Sequence, residues 1–193
     1  MKGQRLLIAL TVVNVVPAGL WLGGDVVNHP LNGPNQHNST GCKVNAHEIT
    51  PGVIYEDRNA TVTAFLAQHE MVNSFGFRFE TPNRTIVISG DTSPTQALVN
   101  HSRGCDVLVH EVYSVDAFRR DSPQFQEFRR RYHTSSVELA AIANEVHPGL
   151  LVLYHRGNRS GGPLTQEMDD ILLAEIRQTY NGEVMAAHDL DIF

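Results

Sequence analysis

Apolar and polar positions along this chain fall into short blocks of two kinds. Continuous β-branched or aliphatic runs at residues 85–89, 107–109 and 150–154 are bounded by turn residues, the pattern of strands buried on both faces of a parallel sheet. Alternating blocks at 60–67 and 75–80, with a short run at 53–55 before them, read as antiparallel strands feeding that sheet. Asp57-Arg58-Asn59 and Thr81-Pro82-Asn83-Arg84 supply the turns, and residues 183–186 a last short strand. Helical spacing follows between the strands. Ser93-Pro94-x-Gln96 carries an N-cap, a first-turn proline and a glutamine, which predicts a helix start. Residues 114–131 predict one or two short helices broken at Pro123. Ser135-x-x-Glu138 is a capping box for a helix presenting Leu139, Ile142, Ala143 and Val146, stopped by His147-Pro148-Gly149. Residues 165–180 predict a helix with Met168, Ile171, Leu172 and Ile176 inward. The expectation is an α/β fold, a mixed sheet with flanking helices.

The first 43 residues have a different texture. Lys2 and Arg5 precede residues 6–24, which carry no charge and have the form of a basic n-region and an apolar h-region. A secretory signal, a membrane anchor through residues 6–24, and a buried strand and turn are all compatible with it, so export and a cytoplasmic location both stay open. Residues 25–42, rich in Asn, Gly, Pro and His, read as a linker. The expected organisation is therefore 1–43 as apolar segment plus linker and 44–193 as the folded domain. A length of 193 residues suits one good core. The net charge of −6 argues against a basic nucleic-acid stripe. Cys42 and Cys105 lack C-x-x-C spacing and decide nothing about redox chemistry. Asn38, Asn59, Asn83, Asn100 and Asn158 each begin an N-x-S/T tripeptide, which has meaning only in a secreted eukaryotic chain.

Chemistry-bearing side chains gather at the ends of these elements. His69, Asp91, His110-Glu111 and His155 each follow a predicted strand, and His133 stands ahead of the capped helix. The C-terminal edge of such a sheet is where ligands bind. Imidazoles and carboxylates are the donors that zinc and similar divalent ions take in catalytic sites. Any one loop histidine is more often hydrogen-bonded structure than a ligand; five positions sharing one placement point to a metal-assisted hydrolytic site. His47-Glu48 and His188-Asp189 compete for these roles but follow no strong strand, so a structural reading suits them. His29, His37, His101 and His147 read as solvated. Arg119, Arg120, Arg129, Arg130 and Arg131 offer contact to phosphate, although Asp121 and Glu127 among them favour a solvated helix face.

From Val44 onward the chain resembles the C-terminal half of the metallo-β-lactamase αββα sandwich, in the branch of ribonuclease Z and arylsulfatase-like hydrolases. The matching pieces are V-T-A-F-L-A-Q-H, F-G-F-R-F-E-T, V-I-S-G-D-T, D-V-L-V-H-E-V, H-T-S-S-V-E-L-A-A-I-A and L-L-V-L-Y-H, in family order. The resemblance implies a two-metal site, of zinc or manganese, in which His69 binds one ion, Asp91 bridges and His155 binds the second. It implies Glu111 with His133 as the couple delivering a proton to the leaving group, with His110 and Thr92 in support. It departs from the family in one respect: the H-x-H-x-D-H loop that supplies further ligands and the water-activating aspartate is missing, and no H-x-H occurs. With 21 residues between His69 and Asp91 there is no room for a long RNA-gripping arm, so tRNA is a weaker expectation than a small ester or phosphodiester. The resulting expectation is a metal-dependent hydrolase, a phosphodiesterase or endonuclease by kinship, truncated or impaired and completed by a partner or homo-oligomer. The alternatives are a non-catalytic interaction module and a partial reading of a longer gene.

Overall fold

Seven strands hydrogen-bond in chain order into one mixed sheet: β1 (Gly52–Glu56), β2 (Thr61–Ala67), β3 (Ser74–Glu80), β4 (Thr85–Ile88), β5 (Val107–Val112), β6 (Leu150–Arg156) and β7 (Val184–Ala186). The computed structural model describes residues 48–69, 74–156 and 164–192. All seven strands lie in the unit Ile49–Phe193. The readings made on residues 1–43, on His47 and on most of the glycine-rich loop after His155 lie outside the described residues.

The first four strands pair antiparallel and the last four parallel. The alternating and continuous apolar blocks therefore correspond to the two pairing modes. Between them lie α1 (Gln96–Ser102), α2 (Val115–Arg119), α3 (Pro123–Tyr132), α4 (Ser136–Val146) and α5 (Gln166–Arg177). No helix among the described residues is long and apolar enough to cross a membrane.

Register sorts the strand residues into two faces, because successive side chains alternate. Val87, Leu108 and Leu151 align across β4, β5 and β6, and Val184 follows on β7. These four pack with Leu98 of α1, Leu139 and Ala143 of α4, and Leu172 and Ile176 of α5 to form the core. The other face is apolar as well. Phe77, Phe79, Ile86, Ile88, Val109 and Val152 lie on it by register. Cys105 is a buried free thiol in the core, and burial pushes its pKa up to about 11.

Four details differ from the sequence reading. The helix expected from Ser93 begins two residues later, with Thr95 as the cap that accepts from Leu98 N. Ser93 instead bridges Gln68, and its N–H donates to the Gln68 carbonyl at 3.0 Å. The strand expected at 107–109 continues to Val112, which places His110 and Glu111 inside β5. His101 is not solvated but stacks on Phe65, ring centroids 4.5 Å apart and nearly coplanar. Arg129 does not belong to a solvated face either. It is buried, its Nε 2.9 Å from Asp121, with its guanidinium over the rings of Tyr113 and Phe125. Burying a guanidinium requires such a partner; the pair ties α3 to the segment that leads into it, and the guanidinium meets Tyr113 just past the end of β5. The capping box at Ser135 and Glu138 is formed, and His147 closes α4 in the left-handed region at φ 50°.

Candidate active site

Asp91 reaches the sheet edge through Gly90, whose φ of +65° is open to glycine with little strain. A Cβ there would lie 2.4 Å from the Phe75 carbonyl, so the turn is closed to larger residues on two counts. Thr92, fully buried, ties the neighbouring segments together. Its N–H donates to Glu111 Oε1 at 2.9 Å, its hydroxyl accepts from Gln68 N at 2.9 Å, and its carbonyl accepts from the Thr134 hydroxyl at 2.7 Å. The segment leaving Asp91 is thus held in one frame with Glu111, with the residue before His69 and with the residue after His133.

Glu111 is 1% exposed, and both of its oxygens lie 3.1 Å from His133 Nδ1. Burial raises the pKa of this carboxyl, against the opposing hydrogen bond and charge of His133. For His133, burial works to lower the pKa, but the hydrogen bond and charge of Glu111, helped by Asp91, outweigh it and raise the imidazole above its ordinary value. Both shifts have one meaning: the pair keeps a shared proton to higher pH than either group alone. His133 is the C-cap of α3, with its ring against Phe128 and against His69 at 5.5 Å.

His155 enters by an irregularity. Glu111 pairs with Tyr154 and Val112 with Arg156, so His155 is the extra residue of a bulge in β6, at φ 41°. Its Nδ1 lies 3.1 Å from Asp91 Oδ1. His69, after β2, packs on Tyr132 at 5.2 Å and on His133. Burial, then the charge of His133, lowers its pKa, with Asp91 acting in the opposite sense. The imidazole is thereby kept neutral, the form that ligates metal.

His69, Asp91, Glu111, His133 and His155 therefore come together. His110 does not join them. It is adjacent to Glu111 in an extended strand and so points to the helix face, fully buried beside the core, its Nδ1–H donating to the Glu111 carbonyl at 2.6 Å. Burial drives its pKa down to about 4. His188 is held structurally, 3.1 Å from the buried Asp169. Tyr132 was not singled out in the sequence; its place directly before His133, in an aromatic series with Phe125 and Phe128, is the signal that marks it.

The donor set fits a borderline divalent ion. Ligand-capable atoms of Glu111, His133 and His155 all lie within 4.8 Å of one another. His69 Nδ1 is buried with no hydrogen-bond partner among the described residues, a lone pair or proton in want of one. This cluster and the set implied by resemblance (His69, Asp91, His155) share His155 but differ otherwise. Within the site Glu111 is engaged by His133 and Thr92, and Asp91 by His155.

Residues 17–156 match the β-lactamase superfamily domain, a stretch that begins upstream of Val44. The chain belongs to the metallo-β-lactamase superfamily. Among its superfamily relatives, ribonuclease Z of Mycobacterium tuberculosis strain H37Rv is 33% identical over 118 residues, 61% of this chain and 43% of that protein. The metallo-β-lactamase fold protein YhfI of Bacillus subtilis superposes with a TM-score of 0.52 at 24% identity, over 66% of this chain and 47% of YhfI. Human tRNase Z, short form, gives 0.51 at 23%, over 73% of this chain and 45% of that one. The chain thus spans about half the length, or less, of these metallo-β-lactamase relatives.

Proposed function

We propose that this chain is a metal-dependent hydrolase of ester or phosphodiester bonds, with Glu111 and His133 as its proton-delivering couple. The convergence of Glu111, His133 and His155 beside Asp91 supports this reading above all. His69, Asp91 and His155 are the residues that would hold zinc or manganese. Such an ion supplies Lewis-acid polarisation and an acidified water when bound.

The protein's own groups account for the rest. Asp91 accepts the His155 Nδ1–H and so fixes that ring, which leaves its Nε2 as the nitrogen open to a ligand. Glu111 takes the Nδ1–H of His133 and holds the imidazole charged. His133 then serves as general acid through its Nε2–H: as water adds to the acyl carbon or phosphorus and the bond to the departing oxygen breaks, that proton passes to the departing oxygen. Solvent restores that proton after the product alcohol leaves. No H-x-H motif is present to supply the family's further ligands, so turnover should be slow. A small ester or phosphodiester is the favoured substrate, and the kinship with ribonuclease Z makes RNA the one to test beside it.

The test is zinc and manganese content of the purified chain, then turnover of bis(p-nitrophenyl) phosphate, p-nitrophenyl acetate and a precursor tRNA. Metal-dependent hydrolysis abolished by Asp91→Ala is the expected result. Failure to take up either metal, or equal turnover by Asp91→Ala, would overturn the reading.

A second reading, an interaction module, has one observation in its favour. β1 is the first strand of the sheet, and Val53 and Tyr55 on it are 61% and 52% exposed. Exposed apolar edges pair readily with other chains. Self-association lost on Val53→Lys, in a chain with no hydrolytic activity, would favour this reading.

A further inference from the structure

We propose that Asp169 is a positioning residue for His155, acting through Arg156. The inference rests on the hydrolase reading, in which His155 belongs to the metal site. Asp169 lies in the first turn of α5 and is 1% exposed. Its Oδ1 pairs with Nη1 of Arg156, a side chain only 4% exposed. Arg156 Nη2 also donates to the Ala187 carbonyl at 2.5 Å, and His188 Nε2 lies 3.1 Å from Asp169 Oδ2. Ala187 N–H in turn donates to Leu153, so the C-terminal segment runs along β6 up to the bulge.

The bulge decides what faces where. In unbroken register Val112 would oppose His155, and the imidazole would turn to the helix face, where Val112 lies in the core. One extra residue puts Arg156 opposite Val112 instead. The guanidinium then meets Asp169 of α5, and His155 is left to turn toward Asp91. A non-glycine residue at φ 41° is strained and persists only when its surroundings impose it. The buried Asp169–Arg156 pair is that imposition, since an unpaired Arg156 would have every reason to leave the interior.

Four full-length chains test this: wild type, Asp169→Asn, His155→Ala and the double variant of these two. A fifth, Arg156→Met with Asp169→Leu, replaces the ion pair with apolar side chains and keeps the fold testable should Asp169→Asn not fold. Zinc affinity is read by competition with a chromogenic chelator and ligand geometry from the visible spectrum of the cobalt(II) form. Metal-free stability is followed in urea. Loss of the latch should weaken zinc about 10-fold or more and alter the cobalt bands. In the His155→Ala background Asp169→Asn should add nothing. Unchanged affinity and spectrum in a folded latch variant overturns the proposal, as does an Asp169→Asn effect that persists in full without His155. A wild-type chain that binds no zinc, or whose affinity ignores His155→Ala, overturns the hydrolase reading itself and this inference with it.

Discussion

His133 Nδ1 stands 3.1 Å from each oxygen of Glu111, a carboxylate with 1% of its surface exposed. A buried carboxylate facing an imidazole stabilises the charged ring, which is what a proton donor requires. Glu111→Gln removes that charge and should lower the pH at which His133 loses its proton. The alkaline limb of the pH–rate profile then moves to lower pH. Cleavage of a dinucleotide, whose leaving group needs a proton, should fall by about 10²–10⁴-fold. Bis(p-nitrophenyl) phosphate, with its good leaving group, should lose far less. Equal losses for both substrates would contradict the acid role.

Stability should fall with acidity through His110. Its pKa is about 4 in the folded chain against an ordinary 6.5, because burial disfavours the cation. Below about 6.5 the unfolded chain takes up a proton that the folded chain refuses, so stability is lost as pH falls from there to about 4. The span corresponds to an order-of-magnitude 3 kcal/mol. His133 has the opposite sign: its raised pKa contributes stability at low pH that is lost as pH rises through the folded value. Urea midpoints measured across pH 4–8 for wild type and His110→Asn check this; the variant should lose most of the acid-side slope.

Glu175 should act as a stability centre. Its carboxylate accepts from the Ser114 hydroxyl, the N–H groups of Val115 and Asp116, and the Ser136 hydroxyl, at 2.5–3.0 Å. One side chain on α5 thus satisfies the starts of α2 and α4. Gln cannot accept on both sides, so Glu175→Gln should cost on the order of 2–4 kcal/mol in chemical denaturation. A loss within 0.5 kcal/mol would show these bonds to be easily replaced by water.

Gly90→Ala should cost more than a glycine-to-alanine change in an ordinary loop. It combines a positive φ with a Cβ 2.4 Å from the Phe75 carbonyl. About 2 kcal/mol or more in stability is expected, together with weaker zinc binding, because Asp91 moves with the turn. Thermal unfolding with and without zinc measures both.

Much of this was legible in the residues themselves. Strand pairing mode followed from continuous against alternating blocks, and the grouping of His69, Asp91, Glu111, His133 and His155 followed from their places at element ends. The failures are of another kind. Nothing local distinguishes His110 from Glu111; only the pleat sends one to the core and the other to the site. Arg129 looks like its neighbours Arg130 and Arg131, and its burial depends on Asp121 and Tyr113, which the fold brings to it. The helix at 96 starts late because Ser93 is claimed by Gln68, a competitor 25 residues away. The bulge at His155 has no sequence signature, since it is defined by what two strands do together.

The bulge also makes β6 a strand with a change of parity. Counting in twos from Leu151 gives the buried face only as far as Leu153; beyond it, odd and even exchange places, and Arg156 takes the inward seat. A one-residue deletion between Tyr154 and Arg156 would therefore do more than shorten a loop. It would restore simple counting and keep Arg156 opposite Val112 on the inward side, yet remove from the sheet edge the one side chain of β6 that meets Asp91, while leaving every upstream contact of the strand in place.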